Sequence, residues 1–333
     1  MPTLHDVARR ASVSSMTVSR VINGYSHVSP ETRKRVQAAI ETVGYYPNVP
    51  ARILASGRSR VVGLVPYEDR LPLFTCPFYQ EVVQGIETEA GERGYDLFLF
   101  TPIPRRRYGP FVAGSMIVDG AVLMGVRVAR ADVTALTAAR FPFVIIGRRA
   151  VFGPEVSYVA PDYVSGAARA TEHLLGRGHR LIGLICEHRR FEPTVEIIRG
   201  YRAAMHAYGE ICHADLIRAV GCGRAGGRAV MHALLSLPTP PTAVLATSLL
   251  LALGALDALR EQRVRVPEDI AVVGFDDGEA AEHAMLPVTM VRLPKFLMGK
   301  AAMAVMADQL EGIEEAKHIR LPTELIIRAS SGG

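Results

Sequence analysis

The first sixty residues place their apolar side chains in three short stripes at helical spacing. Leu4, Val7, Ala8 and Ala11 share one face, and Thr3 followed three residues later by Asp6 supplies a capping-box start, so a helix is expected from Leu4. Ser12 to Ser14 form a tight turn with Ser14 placed to cap a second helix. That helix buries Val18, Val21 and Ile22 and turns Ser15, Met16, Thr17, Ser19 and Arg20 outward. Ser29-Pro30, an N-cap followed by proline at the first helical position, opens a third stripe of Val36, Ala39, Ile40 and Val43 that stops at Gly44.

Beyond Arg60 the pattern becomes short β-branched runs alternating with amphipathic stretches. Strands are expected at Val61 to Pro66, Asp96 to Phe100, Gly120 to Val126, Pro142 to Gly147, Leu181 to Glu187, Thr242 to Thr247 and Ile270 to Asp276. Helices are expected at Tyr79 to Arg93, Val164 to Arg177, Val195 to Tyr208 and Ser248 to Gln262. Such alternation reads as parallel α/β sheets with right-handed crossovers. Val156 to Pro161 and Val288 to Pro294 interrupt it where it begins again, and read as strands crossing between two lobes. The expected fold class is therefore an α/β body of two doubly wound parallel-sheet lobes, preceded by a small all-α helix-turn-helix headpiece.

Charge sharpens this division. Residues 1 to 60 hold nine Lys/Arg against three acids, whereas the rest of the chain holds 29 against 30, so all of the +5 net charge lies in the small helical module. A basic module on a neutral body is the electrostatic footprint of a nucleic-acid reader. The length of 333 residues with 49% hydrophobic content suits one small and one large or bilobed domain. Cys76, Cys186, Cys212 and Cys222 show neither C-x-x-C spacing nor histidine clustering, so reduced thiols and no metal are expected. The N-terminus reaches charge at once, which argues against a secretory signal. The uncharged run Pro238 to Leu256 is broken by Pro240 and Pro241 and reads as a strand and a helix, not a membrane span.

Two helices joined by so short a turn present the N-terminal residues of the second to a major groove. The runs Thr17-Val18-Ser19-Arg20-Val21-Ile22-Asn23, Tyr45-Tyr46-Pro47-Asn48, His173-Leu174 with Gly178-His179-Arg180, Val272 to Asp277, and Leu321-Pro322-Thr323-Glu324-Leu325 occur in that order. On these the sequence resembles the lactose-repressor (LacI/GalR) family over essentially its whole length. The resemblance implies a headpiece at 1–47, a hinge helix and linker at 48–60, and a periplasmic-binding-protein-like sensor. Its N-terminal lobe would be 61–160 plus 290–322, and its C-terminal lobe 161–289 plus 323–330. It implies a cytoplasmic, nucleoid-associated repressor that binds double-stranded operator DNA as a homodimer, with a small-molecule effector of unknown identity, no cofactor and no membrane. A dimer rather than a tetramer is expected because only a Ser/Gly tail follows Arg328.

By the same resemblance Arg20 is the base-reading arginine, able to donate two hydrogen bonds to a guanine edge. Ser15 and Met16 are the positions that choose the operator, and Met16 suits a thymine methyl. Thr3, His5, Ser14, Thr17, Ser19, Asn23, His27 and Ser29 match phosphate-holding positions. In the hinge, Ala51 and Leu54 share a face, and Leu54 matches a wedge that enters the minor groove and kinks a base step.

The effector is expected between the lobes, at the carboxyl ends of the strands. Pro77, Phe78, Arg148, Arg189, Phe191 and Ser248 lie on loops or helix starts that fall there, and Asp276 matches the family's effector-binding aspartate. The sequence departs from the family at the position of the ligand-clamping arginine, which falls on Ile197, and at an Asn-Asp pair, which falls on Ser248-Leu249. Those departures argue against a simple hexose; with Ile197, Leu249 and Phe78 near the pocket and Arg148 or Arg189 near its rim, the expected ligand has an apolar face and an anionic group. Regulation by a protein partner at a vestigial site is the alternative. A solute-binding protein would lack the basic headpiece. No nucleophile-base pair, metal cluster or phosphate loop supports an enzyme, and the patch Gly221 to Gly227 fits no nucleotide-binding pattern.

Overall fold

Hydroxyl caps start the helices of the N-terminal unit. In the computed structural model, which describes all residues except 1, 23–24, 26, 46–56, 68–76, 102–107, 116, 126, 148–151 and 222, the Thr3 hydroxyl accepts from the Asp6 amide at 3.3 Å while the Asp6 carboxylate accepts from the Thr3 amide at 2.9 Å. This capping box opens α1 (Leu4–Ala11), which ends at Ser12 in the left-handed conformation. A second helix, α2 (Ser15–Ile22), follows, and α3 (Pro30–Val43) begins with Ser29 accepting from the Thr32 amide and closes at Gly44. Val7, Ala11, Val18, Val21 and Val36 form the core of this unit. The chain divides into two compact units, Met1–Ser59 and Arg60–Gly333. The expected hinge helix of residues 48–56 lies outside the described residues.

The second unit contains two six-stranded sheets. The first runs β11 (His318–Leu321), β5 (Tyr158–Pro161), β4 (Phe143–Ile146), β3 (Gly120–Met124), β1 (Val61–Pro66), β2 (Asp96–Leu99), with every neighbouring pair parallel. The second runs β12 (Glu324–Ile326), β10 (Thr289–Arg292), β9 (Ala271–Phe275), β8 (Ala243–Ala246), β6 (Ile182–Cys186), β7 (Ile217–Ala219), parallel except for the β10/β12 pair. Nearly continuous apolar strands such as β1 and β9 are what a sheet covered on both faces requires.

Helices cover both sheets. Those on the first are α4 (Pro77–Arg93), α5 (Tyr108–Gly114), α6 (Arg130–Ala138) and, from much later in the chain, α12 (Lys295–Leu310). The second carries α7 (Tyr163–Gly176), α8 (Glu192–Ala207), α9 (Arg224–Leu235), α10 (Leu249–Glu261) and the short α11 (Glu279–Glu282). The uncharged run checked for membrane character divides into β8 and α10, and no helix among the described residues is long and apolar enough to cross a membrane.

The chain passes between the sheets three times: after β5, between β10 and α12, and between β11 and β12. The second passage falls later than the boundary at residue 290 read from the sequence. Thr289, Met290 and Val291 are fully buried and pair with Val273, Gly274 and Phe275, so β10 stays in the second sheet and the first lobe resumes with α12.

The parallel helices α4 and α12 touch backbone to backbone. A Cβ on Gly85 would lie 2.0 Å from the Phe296 carbonyl oxygen, and one on Gly299 would lie 2.0 Å from that of Val82. Gly299→Ala is therefore expected to cost about 1–3 kcal/mol, because the helices must separate. Gly91, in the same helix α4, has nothing within 4 Å of its Cβ position. Gly91→Ala is expected to gain about 0.4–1 kcal/mol by restricting the unfolded chain. Denaturant unfolding of both variants checks the contrast, and equal midpoints would contradict it.

Candidate functional site

The outer surface of the headpiece is built on its helix starts. The Ser14 hydroxyl accepts from the Thr17 amide at 3.1 Å and lies 2.9 Å from the Thr17 hydroxyl, so it caps α2. Ser15 Oγ lies 3.2 Å from His5 Nδ1, which brings the N-terminal ends of α1 and α2 together. Backbone N–H groups at helix starts and hydroxyls beside them are suited to phosphate oxygens. Val18 and Val21 point into the core while Met16, 64% exposed, and Arg20, also exposed, project from the other side of α2 one turn apart. Thr3, His5, Ser14, His27 and Ser29 are exposed, and Ser15, Thr17 and Ser19 are half-buried. Asn23, Ala51 and Leu54 lie outside the described residues.

In the second unit a pocket opens at the carboxyl ends of the first sheet, where Gly125, Gly147 and Pro161 follow β3, β4 and end β5. Phe78 and Tyr79 from α4 and Met298 from α12 line one side, and Tyr163, Glu192, Pro193 and Glu196 from the second lobe line the other. Phe78 is packed against the cores of both lobes. The Tyr163 hydroxyl is driven well above its ordinary pKa by burial and by the neighbouring Asp276, Glu196, Tyr79 and Glu187, so it stays a proton donor.

Asp276 follows β9 with a φ of 71°, a left-handed turn that aspartate tolerates. Its carboxylate meets the Lys295 ammonium at 3.1 Å, and the same ammonium meets Glu81 at 2.7 Å and donates to the Asp277 carbonyl at 2.9 Å. Burial lifts the Asp276 carboxyl above its usual range against the pull of Lys295. Burial also opposes the Lys295 charge, but Asp276 and Glu81 outweigh it and hold the lysine above its ordinary value. The next side chain takes different partners: Asp277 is clamped by Arg292 and Arg328, each at 2.7 Å.

The other residues named from the sequence are dispersed. Pro77 is the exposed first residue of α4. Phe191 is half-buried, with the Arg127 guanidinium of the first lobe 5.8 Å from its ring centre. Arg189 is exposed and donates to the Ile217 carbonyl at 2.5 Å, on the edge strand β7. Ser248 spends its hydroxyl capping α10 through the Leu251 amide at 3.4 Å. Ile197 is 1% exposed in the core of the second lobe, while its neighbour Glu196 lines the pocket. Arg148 lies outside the described residues. The pocket's wall is thus more acidic than the sequence reading expected, and its described residues give an anionic ligand little support. Tyr79, Tyr163, Glu192, Glu196 and Lys295 were missed; the only signal for them was their position at helix starts that follow strands. Among the described residues no His/Cys/Asp/Glu group is placed to hold a metal.

Residues 3–48 match the family described as bacterial regulatory proteins, lacI family, and residues 171–331 match the periplasmic binding protein-like domain. Over its length the chain is similar to the HTH-type transcriptional regulator CelR of Thermobifida fusca, with 39% identity across 99% of this chain and 98% of CelR. The chain belongs to the LacI family. This LacI-family regulator is also 31% identical to the HTH-type transcriptional repressor CytR of Escherichia coli K12, across 99% of this chain and 96% of CytR. Two solved structures are similar over nearly all of both chains. A CelR–cellobiose complex has 38% identity and a TM-score of 0.76, covering 99% of this chain and 100% of CelR. A lac repressor dimer bound to operator and the anti-inducer ONPF has 25% identity and a TM-score of 0.84, covering 99% of each. The regulator is accordingly a DNA-binding transcription regulator with a two-lobed sensor.

The cap that begins its headpiece has a pH signature. Hydrogen bonds from Thr3 hold the Asp6 carboxyl below its ordinary value, so its contribution is complete above the unfolded aspartate pKa of about 3.9 and fades as pH falls through the lowered folded value. Protection of the Asp6 and Val7 amides, measured against their intrinsic exchange rates, is expected to fall below that range. Asp6→Asn is expected to lower it already at neutral pH. Identical protection in the variant would show the cap to be idle.

Proposed function

We propose that the regulator represses transcription by binding a pseudo-palindromic operator as a homodimer, and that a neutral, hydroxyl-rich small molecule of the saccharide class, held between the lobes, sets its affinity for DNA. A protein that reads DNA in this way works in the cytoplasm, at the nucleoid. In this reading Arg20 contacts a base edge and Ser15 and Met16 tune operator choice. Thr3, His5, Ser14, Thr17, Ser19, Asn23, His27 and Ser29 hold phosphates, and Ala51 and Leu54 act at the minor groove. The similarity to a lac repressor dimer on operator supports the DNA half of the reading.

The observation that carries the effector class is the pocket wall. Tyr79 and Tyr163 beside Glu192 and Glu196 offer aromatic surface for the C–H face of a sugar ring and carboxylate acceptors for its hydroxyls. The cellobiose held by the CelR structure is a ligand of that chemistry. It replaces the anionic ligand expected from the sequence, since Arg189 is turned toward β7.

Selection of bound sites from random DNA, with and without cellobiose, tests both halves. Arg20→Ala is expected to cost about 1–3 kcal/mol and to relax preference at one position per half-site. Uniform weakening at all positions would instead make Arg20 a phosphate contact. Cellobiose at a hundred times its Kd is expected to stabilise the folded regulator by about 2.7 kcal/mol. Asp276→Ala is expected to abolish that shift, and the absence of a shift with any neutral saccharide would sink the effector half.

A further inference from the structure

Two ion pairs join the lobes at the pocket. Lys295, the first residue of α12 in the first lobe, meets Asp276 of the second at 3.1 Å, and Arg320 of β11 in the first meets Glu196 of the second at 2.8 Å. In both the cation comes from the first lobe and the carboxylate from the second. Glu196 lines the pocket, and so does Met298, one turn after Lys295 on α12.

Lys295 is unfavourably placed for any purpose of its own helix. A cation at the first position of a helix opposes the macrodipole, and a side chain only 2% exposed must recover the hydration that it loses. Its ammonium donates to the Asp277 carbonyl at 2.9 Å and stands within ion-pair distance of Glu81 Oε1 and Asp276 Oδ1. The site is built to keep an ammonium at this point between the lobes.

We propose that Lys295, seconded by Arg320, is a positioning residue of the effector cleft: it ties Asp276 to the first lobe and so sets the spacing of the lobes and the direction in which that carboxylate is presented. The proposal rests on reading the cleft as the effector site. A ligand hydroxyl that draws on Asp276 shares the carboxylate with Lys295, so occupation of the cleft acts directly on the tie between the lobes.

Hydrogen exchange of the full-length regulator without DNA or sugar tests the tie. Lys295→Met is expected to speed exchange at least about threefold in the first turns of α4 and α8, which face each other across the pocket. Lys295→Arg should stay near the parent rate, because it keeps the charge. The double variant Lys295→Met/Asp276→Asn should exchange no faster than Lys295→Met alone, since the shared interaction is already lost. Exchange unchanged in a folded Lys295→Met protein, or additive effects in the double variant, would overturn the proposal. Should Lys295→Met fail to fold, Arg320→Gln, with a side chain one-third exposed, gives the same test from the second tie and is expected to loosen α8. An unchanged α8 there would overturn it equally. Cellobiose binding enters only as a separate titration. Failure to bind it would count against the effector class and leave the sugar-free exchange result to decide the tie.

Discussion

Backbone contact between paired helices is the constraint from which the rest of this molecule follows. Cβ atoms on Gly85 and Gly299 would collide with the facing helix, and the same holds for Gly200 against Val164, Gly227 against Leu251 and Gly254 against Arg224. Three helix pairs, α4/α12, α7/α8 and α9/α10, are thereby held closer than ordinary side chains permit. Close approach fixes their rotation as well as their distance. It is this that puts Glu81 beside Lys295 at one end of α4/α12, and Glu192 and Glu196 on the pocket side of α8 while Ile197 stays in the core.

On that frame the charges sort by function. Asp277, with two arginines around it, holds the end of the second sheet to the C-terminal segment, since Arg328 also donates to the Val288 carbonyl. Burial works against its charge, but Arg328 and Arg292 keep its carboxyl below the usual range. Asp276, one residue earlier, has the opposite balance: burial dominates and a single lysine offsets it. Two adjacent carboxylates just after β9 are thus held in different ways, Asp277 by two arginines and Asp276, in the left-handed conformation, by a single lysine.

Much of this was legible in the sequence where period and chemistry agree. The headpiece helices and their caps follow from Thr3/Asp6, Ser14 and Ser29-Pro30, and β1 occupies the run Val61 to Pro66. Elements whose residues are apolar on all sides were illegible. The helix α12 buries Met298, Ala302, Met303 and Met306 along with Lys295, so no stripe separates core from solvent. The start of α9 looked like a loose glycine patch, whereas Gly227 is there because Leu251 leaves no room for a side chain. The run up to Asp276 was legible as the end of a strand, which is β9. Lys295 and Glu81 were not legible as partners, because only the pairing of α4 with α12 makes two such distant residues neighbours.

The three passages between the sheets also order events as the chain is made. The second lobe, apart from its edge strand β12, is drawn from one continuous stretch ending with β10, so it can close as soon as that stretch has left the ribosome. The first lobe cannot. Its helix α4 waits for α12, with more than two hundred residues between Gly85 and Gly299, and at about 5–20 residues per second that wait lasts about 10–40 s. Throughout it, the apolar residues Val82 and Ile86, destined for burial, have no partner helix. The half of the sensor that begins first thus keeps apolar helix surface uncovered until nearly the whole of the other half has been made.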